Sequence, residues 1–345
     1  MNKTSLEFEL PPDLEAHEPP ELRGLRRDHV RLLVLPRFTG EAIHTQFEML
    51  GDFLRPGDLL VVNNSRTLPA LLPAHDEHGE AVEVRLAQRR NEDLWDALVL
   101  QGRTHVGRPG MRLNFGQDLT AQVLERNTEL PFLWQVHFDR CCAELLDLIY
   151  RIGFPIHYNY VTDGLTLDMY QTVYAAEPGS VEMASAGRPL TWEMLLDLER
   201  KGINLAAITL HTGLSSTRDD AIDATHPRYE EEYNLPTDTA QAIQACHAAG
   251  GRVIAVGTTV VRTLESVATE DGHVTAGHGW TRLHIDIDHK LRVVDALLTG
   301  MHEPRSSHLD LLSAFVDPER LMVAYREAIQ KGYLWHEFGD MNLII

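Results

Sequence analysis

After Pro69 the spacing of apolar residues changes, and this change constrains the fold more than any other feature of the chain. Before it, strand and helix alternate. Arg31–Leu35 reads as a strand, Phe47, Leu50, Phe53 and Leu54 as one face of a short helix, and Asp58–Asn63 as a second strand after the Pro56-Gly57 turn. After it, Ala81–Leu86, Leu94–Leu100, Met111–Phe115, Leu119–Leu124 and Phe132–Phe138 alternate with a period of two, separated by Gly, Pro and Asn. Helical periodicity returns at Ala143–Ile149, and strand–helix alternation resumes near residue 190, with Leu205–Leu210, Thr281–Ile285 and Leu291–Leu297 reading as strands. A chain that switches period twice builds two kinds of layer. The expectation is an α/β main domain, residues 1–69 and 141–345, interrupted by a small β-barrel domain at 70–140.

Composition narrows the function. A chain of 345 residues, 43% of them hydrophobic, is ample for two cores. Its 31 basic and 51 acidic residues give a net charge of −20, which argues against bulk attachment to nucleic acid or an anionic membrane but leaves room for a local basic groove. Arg85, Arg89 and Arg90 form one such cluster, which reads either as a solvated face or as a contact for nucleic-acid phosphates. The first ten residues lack the apolar core of a signal peptide, and no run reaches the length of a membrane span. With three cysteines in no metal-binding or disulfide pattern, a reducing cytoplasm is the expected location and no metal is expected.

One segment is built for a polar ligand. The apolar run over residues 252–256 turns through Gly257-Thr258-Thr259 into an amphipathic helix bearing Val261, Leu264 and Val267. The first turn of a helix presents unpaired N–H groups and a favourable dipole to an anion, and Arg262 one turn in can clamp a carboxylate or phosphate. Capping by the threonines and a surface ion pair for Arg262 are the structural alternatives.

In order along nearly the whole chain come Leu54-Arg-Pro-Gly-Asp-Leu-Leu-Val-Val-Asn63, Tyr170-Gln-Thr-Val-Tyr-Ala175, Val256-Gly-Thr-Thr-Val-Val-Arg-Thr-Leu-Glu265, Val294-Asp-Ala-Leu-Leu-Thr299 and Gly339-Asp340. Together these resemble the S-adenosylmethionine:tRNA ribosyltransferase-isomerases of queuosine biosynthesis. The resemblance implies an α/β barrel-like main domain with an inserted β-barrel. It also implies transfer and isomerisation of the ribosyl unit of S-adenosylmethionine onto 7-aminomethyl-7-deazaguanine in tRNA, and S-adenosylmethionine as co-substrate with no other cofactor. It implies His211, His226, Glu231 and His302 as catalytic groups, and Asn63, Arg66, Tyr170, Gln171, Thr258, Thr259, Arg262 and Asp295 as substrate contacts. Each has a structural alternative: His211 a buried imidazole bonded to backbone, Tyr170 and Gln171 strand packing with a bonded amide, Asp295 a buried pair, Asn63 and Arg66 a strand-end cap.

The chain also departs from the family pattern in its loops. The usual Ala-Pro-Thr-Ala-Gly-Leu-His-Phe-Thr is Met183-Ala-Ser-Ala-Gly-Arg-Pro-Leu-Thr191, which puts Pro189 in place of a histidine. The usual Pro-Leu-Pro-Pro-Tyr-Ile, then arginine, is Pro155-Ile-His-Tyr-Asn-Tyr160 with no arginine after it, and Tyr229 stands where a second histidine is usual. The stretch before Gly339-Asp340, usually Tyr-Arg-Phe-Phe-Ser-Tyr, is Tyr333-Leu-Trp-His-Glu-Phe338. Proline neither donates nor transfers a proton from its side chain. His157, His336 and Glu337, new relative to the pattern, are the groups that can take over. The alternative is a same-fold enzyme using S-adenosylmethionine with another acceptor, or a non-catalytic relative that binds a nucleoside or RNA.

Overall fold

The computed structural model describes residues 6–215 and 230–345. Two large sheets organise them. The first runs, neighbour by neighbour, Gly277–Thr281, Glu231–Leu235, Asn204–Leu210, Leu59–Asn63, Val253–Val256, Ala296–Gly300, Met341–Ile344, Arg31–Leu35, Ile43–Gln46. Its four central strands, 204–210, 59–63, 253–256 and 296–300, are parallel. The 341–344 strand pairs antiparallel to 296–300, and 31–35 runs parallel to 341–344. The carboxyl ends of the four central strands and the amino ends of the 341–344 and 31–35 strands therefore share one edge, which we call the upper edge.

The central strands read as continuous apolar runs because both faces are covered. Leu59 and Val61 meet the helices Thr237–Ala248, Thr258–Val267 and Pro318–Gln330 in one core. Leu60 and Val62 face a second core with the helix Trp192–Arg200.

The second sheet holds the residues of two-fold period. Leu71–Asp76, Ala81–Arg89, Leu94–Gln101, Arg112–Gly116, Leu119–Arg126 and Trp134–Phe138 pair antiparallel in a ring that closes where 134–138 meets 94–101, with the short Thr104–His105 strand beside it. Closure removes exposed strand edges. Alternate residues such as Leu113, Leu119, Val123 and Val136 fill the interior, joined by Leu145 and Ile149 of the helix Cys142–Ile152.

Two expected strands fall elsewhere, for visible reasons. The run expected over 291–297 is in the sheet only from Ala296, because the Glu265 carboxylate takes the backbone N–H groups of Arg292, Val293 and Val294 at 3.0–3.1 Å. The strand expected at 281–285 ends at Thr281, where the Thr281 hydroxyl accepts from the Leu283 N–H and Leu283 turns its carbonyl to Arg262. The basic cluster is also not free for RNA. Arg85 is buried beside Glu83. Arg90 bonds Asp96 at 2.7 Å and Glu230 at 2.8 Å, and Gln88 bonds the Glu230 carbonyl, so this cluster ties the barrel to the main sheet.

Candidate active site at the upper edge

The upper edge assembles a polar cluster that its own strands position. Asn63 ends its strand buried, and its side chain braces the neighbouring one. Nδ2 donates to the Leu210 carbonyl at 2.9 Å, and Oδ1 accepts from the N–H groups of Leu210 and Ser65. Nδ2 also lies 3.3 Å from Thr259 Oγ1, linking the strand end to the helix start. Its hydrogen-bonding capacity is spent on the scaffold, so Asn63 positions rather than binds.

His211 follows directly. Its Nδ1 lies 2.7 Å from Ser65 Oγ, which in turn lies 2.6 Å from Ser180 Oγ. The imidazole packs on Gly179, where a Cβ would come within 2.5 Å of the ring. Burial, with a contribution from the Arg89 charge, lowers its pKa to about 4, so the ring is neutral at pH 7. His302 is neutral as well: burial, then His308 and His336, hold it well below the ordinary range. Its Nε2 lies 2.8 Å from Thr299 Oγ1, and its ring stacks on His308 at 4.5 Å.

Gly257 adopts φ +91°, and an added Cβ would lie 3.2 Å from Ala186. Only glycine makes this turn without strain. The helix start at Thr258 and Thr259, which no side chain caps, is thereby set against the 185–187 turn. Ser185, with Arg188 and Pro189, forms one wall of a cleft; Gly300, His336, Glu337 and Met341 form the other. The side chains at 188, 189, 336, 337 and 338, all cleft-lining, stand at positions where the chain departs from the family pattern.

The remaining expected residues divide. Arg262 and Glu231 form an ion pair with each other, and Arg262 Nε also bonds the Leu283 carbonyl at 3.1 Å, so both are committed to structure. Gln171 brackets Thr67, accepting from its N–H at 3.1 Å and donating to its carbonyl at 2.8 Å. Tyr170 is buried against Phe338 at 5.4 Å, with its hydroxyl unpartnered. Arg66 is exposed, over the ring of Tyr150. Asp295 is a correction: it precedes the 296–300 strand and lies at the opposite edge of the sheet. There it bonds the Val253 N–H at 2.8 Å and His247 at 3.1 Å. His226 and Tyr229 lie outside the described residues. His157 turns to Asp163, at 3.3 Å.

Sequence reasoning did not single out Ser65, Gly179, Ser180, Glu182 or Arg188. Arg188, buried, bonds both Glu21 oxygens at 3.0–3.1 Å and lies 5.0 Å over Phe338. The signal for it was present, because an arginine in an otherwise apolar stretch requires a carboxylate partner. Nothing in the sequence marks Ser180, which meets Ser65 only through the parallel pairing of Glu177–Ser180 with Ser65–Thr67. Among the described residues, one group of three metal-type donors converges, Glu92 with Cys141 and Cys142, exposed and away from the sequence positions that build the cleft.

A parallel-centred α/β sheet with a polar cleft at its carboxyl edge and an inserted closed barrel defines an enzyme-like architecture, in which the edge is the place for chemistry. Comparison makes the assignment specific. The chain belongs to the queuosine biosynthesis protein family, whose model matches residues 3–344. It is 38% identical to an S-adenosylmethionine:tRNA ribosyltransferase-isomerase of Symbiobacterium thermophilum and 36% identical to one of Clostridium kluyveri, each match covering 100% of both chains. The crystal structure of S-adenosylmethionine tRNA ribosyltransferase from Thermotoga maritima aligns over 99% of both chains with 32% identity and a TM-score of 0.57.

Proposed function

We propose that this protein transfers the ribosyl unit of S-adenosylmethionine to the aminomethyl group of 7-aminomethyl-7-deazaguanine in tRNA and isomerises it to the epoxycyclopentanediol, releasing adenine and methionine. The observation that carries this reading is the end-to-end match to relatives of that name, with no part of the chain unaccounted for. S-adenosylmethionine is a co-substrate, and no further cofactor is called for. Among the described residues no helix is long and apolar enough to cross a membrane, which fits an enzyme working beside its tRNA in the cytoplasm.

The reaction needs donors for the ribose hydroxyls, a base for a proton beside the sulfonium, and an acid for the departing adenine. In this reading the start of the 258–267 helix, with Thr258 and Thr259, receives the methionine carboxylate or ribose oxygens. His211 and His302 act as neutral imidazoles that hold hydroxyls. Their lowered pKa values make them weak bases and good neutral partners. The barrel, residues 70–140, is a separate module without a catalytic group. The test is release of adenine from S-adenosylmethionine with and without precursor-bearing tRNA. Release that depends on the tRNA is expected; none in either case would overturn the reading.

The altered cleft wall favours a second reading, a related enzyme with another acceptor. Adenine release driven by a different amine, and not by the tRNA, would select it.

A further inference from the structure

Two glutamates whose charges act on each other, one of them lining the cleft, stand in opposite circumstances. Glu182 is saturated with donors: Tyr158 Oη at 2.9 Å and Ser215 Oγ at 2.6 Å on one oxygen, the Ser215 N–H at 2.8 Å on the other. Glu337 lines the cleft, and its Oε1 is buried with no hydrogen-bond partner. Its neighbour His336, at φ +73°, stacks on Tyr160 at 4.2 Å, and Tyr160 stacks on Tyr158 at 5.4 Å, so an aromatic stack flanks this corner. Arg188, the nearby cation, is already committed to Glu21 and to the Met169 carbonyl. A carboxyl that is buried and unpartnered keeps its proton, while one that is fully hydrogen-bonded holds its charge. Two carboxyls driven apart in this way are the usual signature of an acid and its charged companion.

We propose that Glu337 is the general acid that protonates the departing purine, with Glu182 as the fixed charge opposite it. This rests on the ribosyl-transfer reading above. In the step, the bond between the ribosyl carbon and the purine nitrogen breaks and its electron pair goes to the purine. The Glu337 proton is taken up on a purine ring nitrogen, so adenine leaves neutral, and the replacing pair at the ribosyl carbon comes from the substrate. Glu337 is left as a carboxylate and regains its proton from water once adenine has gone.

The electrostatics agree. Burial, then the Glu182 charge, raise the Glu337 pKa to about 8 against a smaller opposing effect of Arg188. Tyr158, Tyr160 and Tyr170 also face this carboxyl, and all three hold their protons far more tightly than a free tyrosine, chiefly through burial. His336 is neutral, lowered to about 4 by burial and by His17. Among the described groups of the cleft, Glu337 is thus the one that is protonated at pH 7 and still able to give the proton up.

The experiment is single-turnover adenine release from S-adenosylmethionine by wild type, Glu337→Gln and Glu182→Gln in the presence of precursor tRNA, from pH 6 to 9.5. Wild type is expected to lose rate with an alkaline limb near pH 8. Glu337→Gln, which keeps the shape and a donor but has no proton to transfer, is expected to fall by about 10²–10⁴-fold in rate with unchanged S-adenosylmethionine affinity and no alkaline limb. An analogue bearing a purine that leaves without protonation should lose far less in the variant. Glu182→Gln should shift the limb to lower pH, because the charge that raises the Glu337 pKa is gone. A Glu337→Gln rate within a few-fold of an active wild type, with the limb intact, overturns the assignment alone. A wild type that releases no adenine overturns the ribosyl-transfer reading and this one with it.

Discussion

The two edges of the main sheet are made of the same strands yet treat charge in opposite ways. At the lower edge Asp58 and Asp295 both have partners. Asp58, buried before the 59–63 strand, accepts from the Arg55 N–H and grips Arg252 through its N–H, Nε and Nη2. Burial alone would raise its pKa, but the guanidinium and the two backbone donors outweigh it and hold the carboxyl below the ordinary range. Asp295 is bonded to His247, whose pKa it raises by that bond. At the upper edge His211, His302 and His336 are kept neutral and Glu337 is kept protonated. Paired ions pin strand starts together. Neutral imidazoles, and the Glu337 Oε1 that has no hydrogen-bond partner, retain the capacity to act on something else.

The largest effect expected is at the lower edge and is purely structural. Asp58→Ala leaves a guanidinium and two N–H groups without their acceptor, and removing one partner of a buried pair costs about 3–5 kcal/mol. Urea denaturation should show that loss, while folded protein retains adenine release. Activity lost without stability lost would break the comparison. At the upper edge Gly179→Ala should do the reverse. The new methyl forces the His211 ring aside, and a misplacement of about 1 Å costs on the order of 10²-fold in kcat/KM. Calorimetry should find the melting temperature changed much less than the rate.

The pH dependence of stability sharpens the contrast. His211 and His336 have folded pKa values below the unfolded value near 6.5, so the unfolded chain binds more protons between pH 4 and 6.5 and stability falls as pH drops through that window. Glu337 has a folded pKa above its unfolded value, so the folded state binds the extra proton, and stability falls as pH rises from about 4.5 to 8. Glu337→Gln should therefore gain stability relative to wild type at pH 9 and show little difference at pH 4. Thermal melts across pH check both slopes. The smallest effect is Asp295→Asn. Its ion pair is 43% exposed on the aspartate side, so no more than about 1 kcal/mol of stability should be lost, and kcat/KM should stay within a factor of two.

Much of the architecture is legible in the order of residues. Period-two runs become strands in a closed barrel, and the apolar runs at 31–35, 59–63, 204–210 and 253–256 become strands of the main sheet. What escapes is long-range capture of backbone by side chains, as when Glu265 draws the N–H groups of 292–294 out of the ladder. Motif resemblance singles out Thr258, Thr259, His211 and His302, which the fold brings to one edge, and Gly257 shows its reason in a positive φ. Sequence does not tell which strand end a residue occupies, so Asp295 was grouped with residues a strand length away. Nor does it show that Arg262 and Glu231 neutralise each other. The divergent positions at 188, 189, 336, 337 and 338 look scattered in sequence and come together only when the chain folds around the cleft.

In the proposed function S-adenosylmethionine is held and cleaved at the upper edge. The direct measurement is amide hydrogen exchange with and without saturating S-adenosylmethionine. Protection is predicted in the segments around 63–67, 179–188, 257–260, 300–302 and 336–341, with no change at 55–58, 247–253 or 295 and none inside the barrel. Protection at the lower edge or in the barrel, with the upper edge unaffected, would rule out the upper edge as the S-adenosylmethionine site.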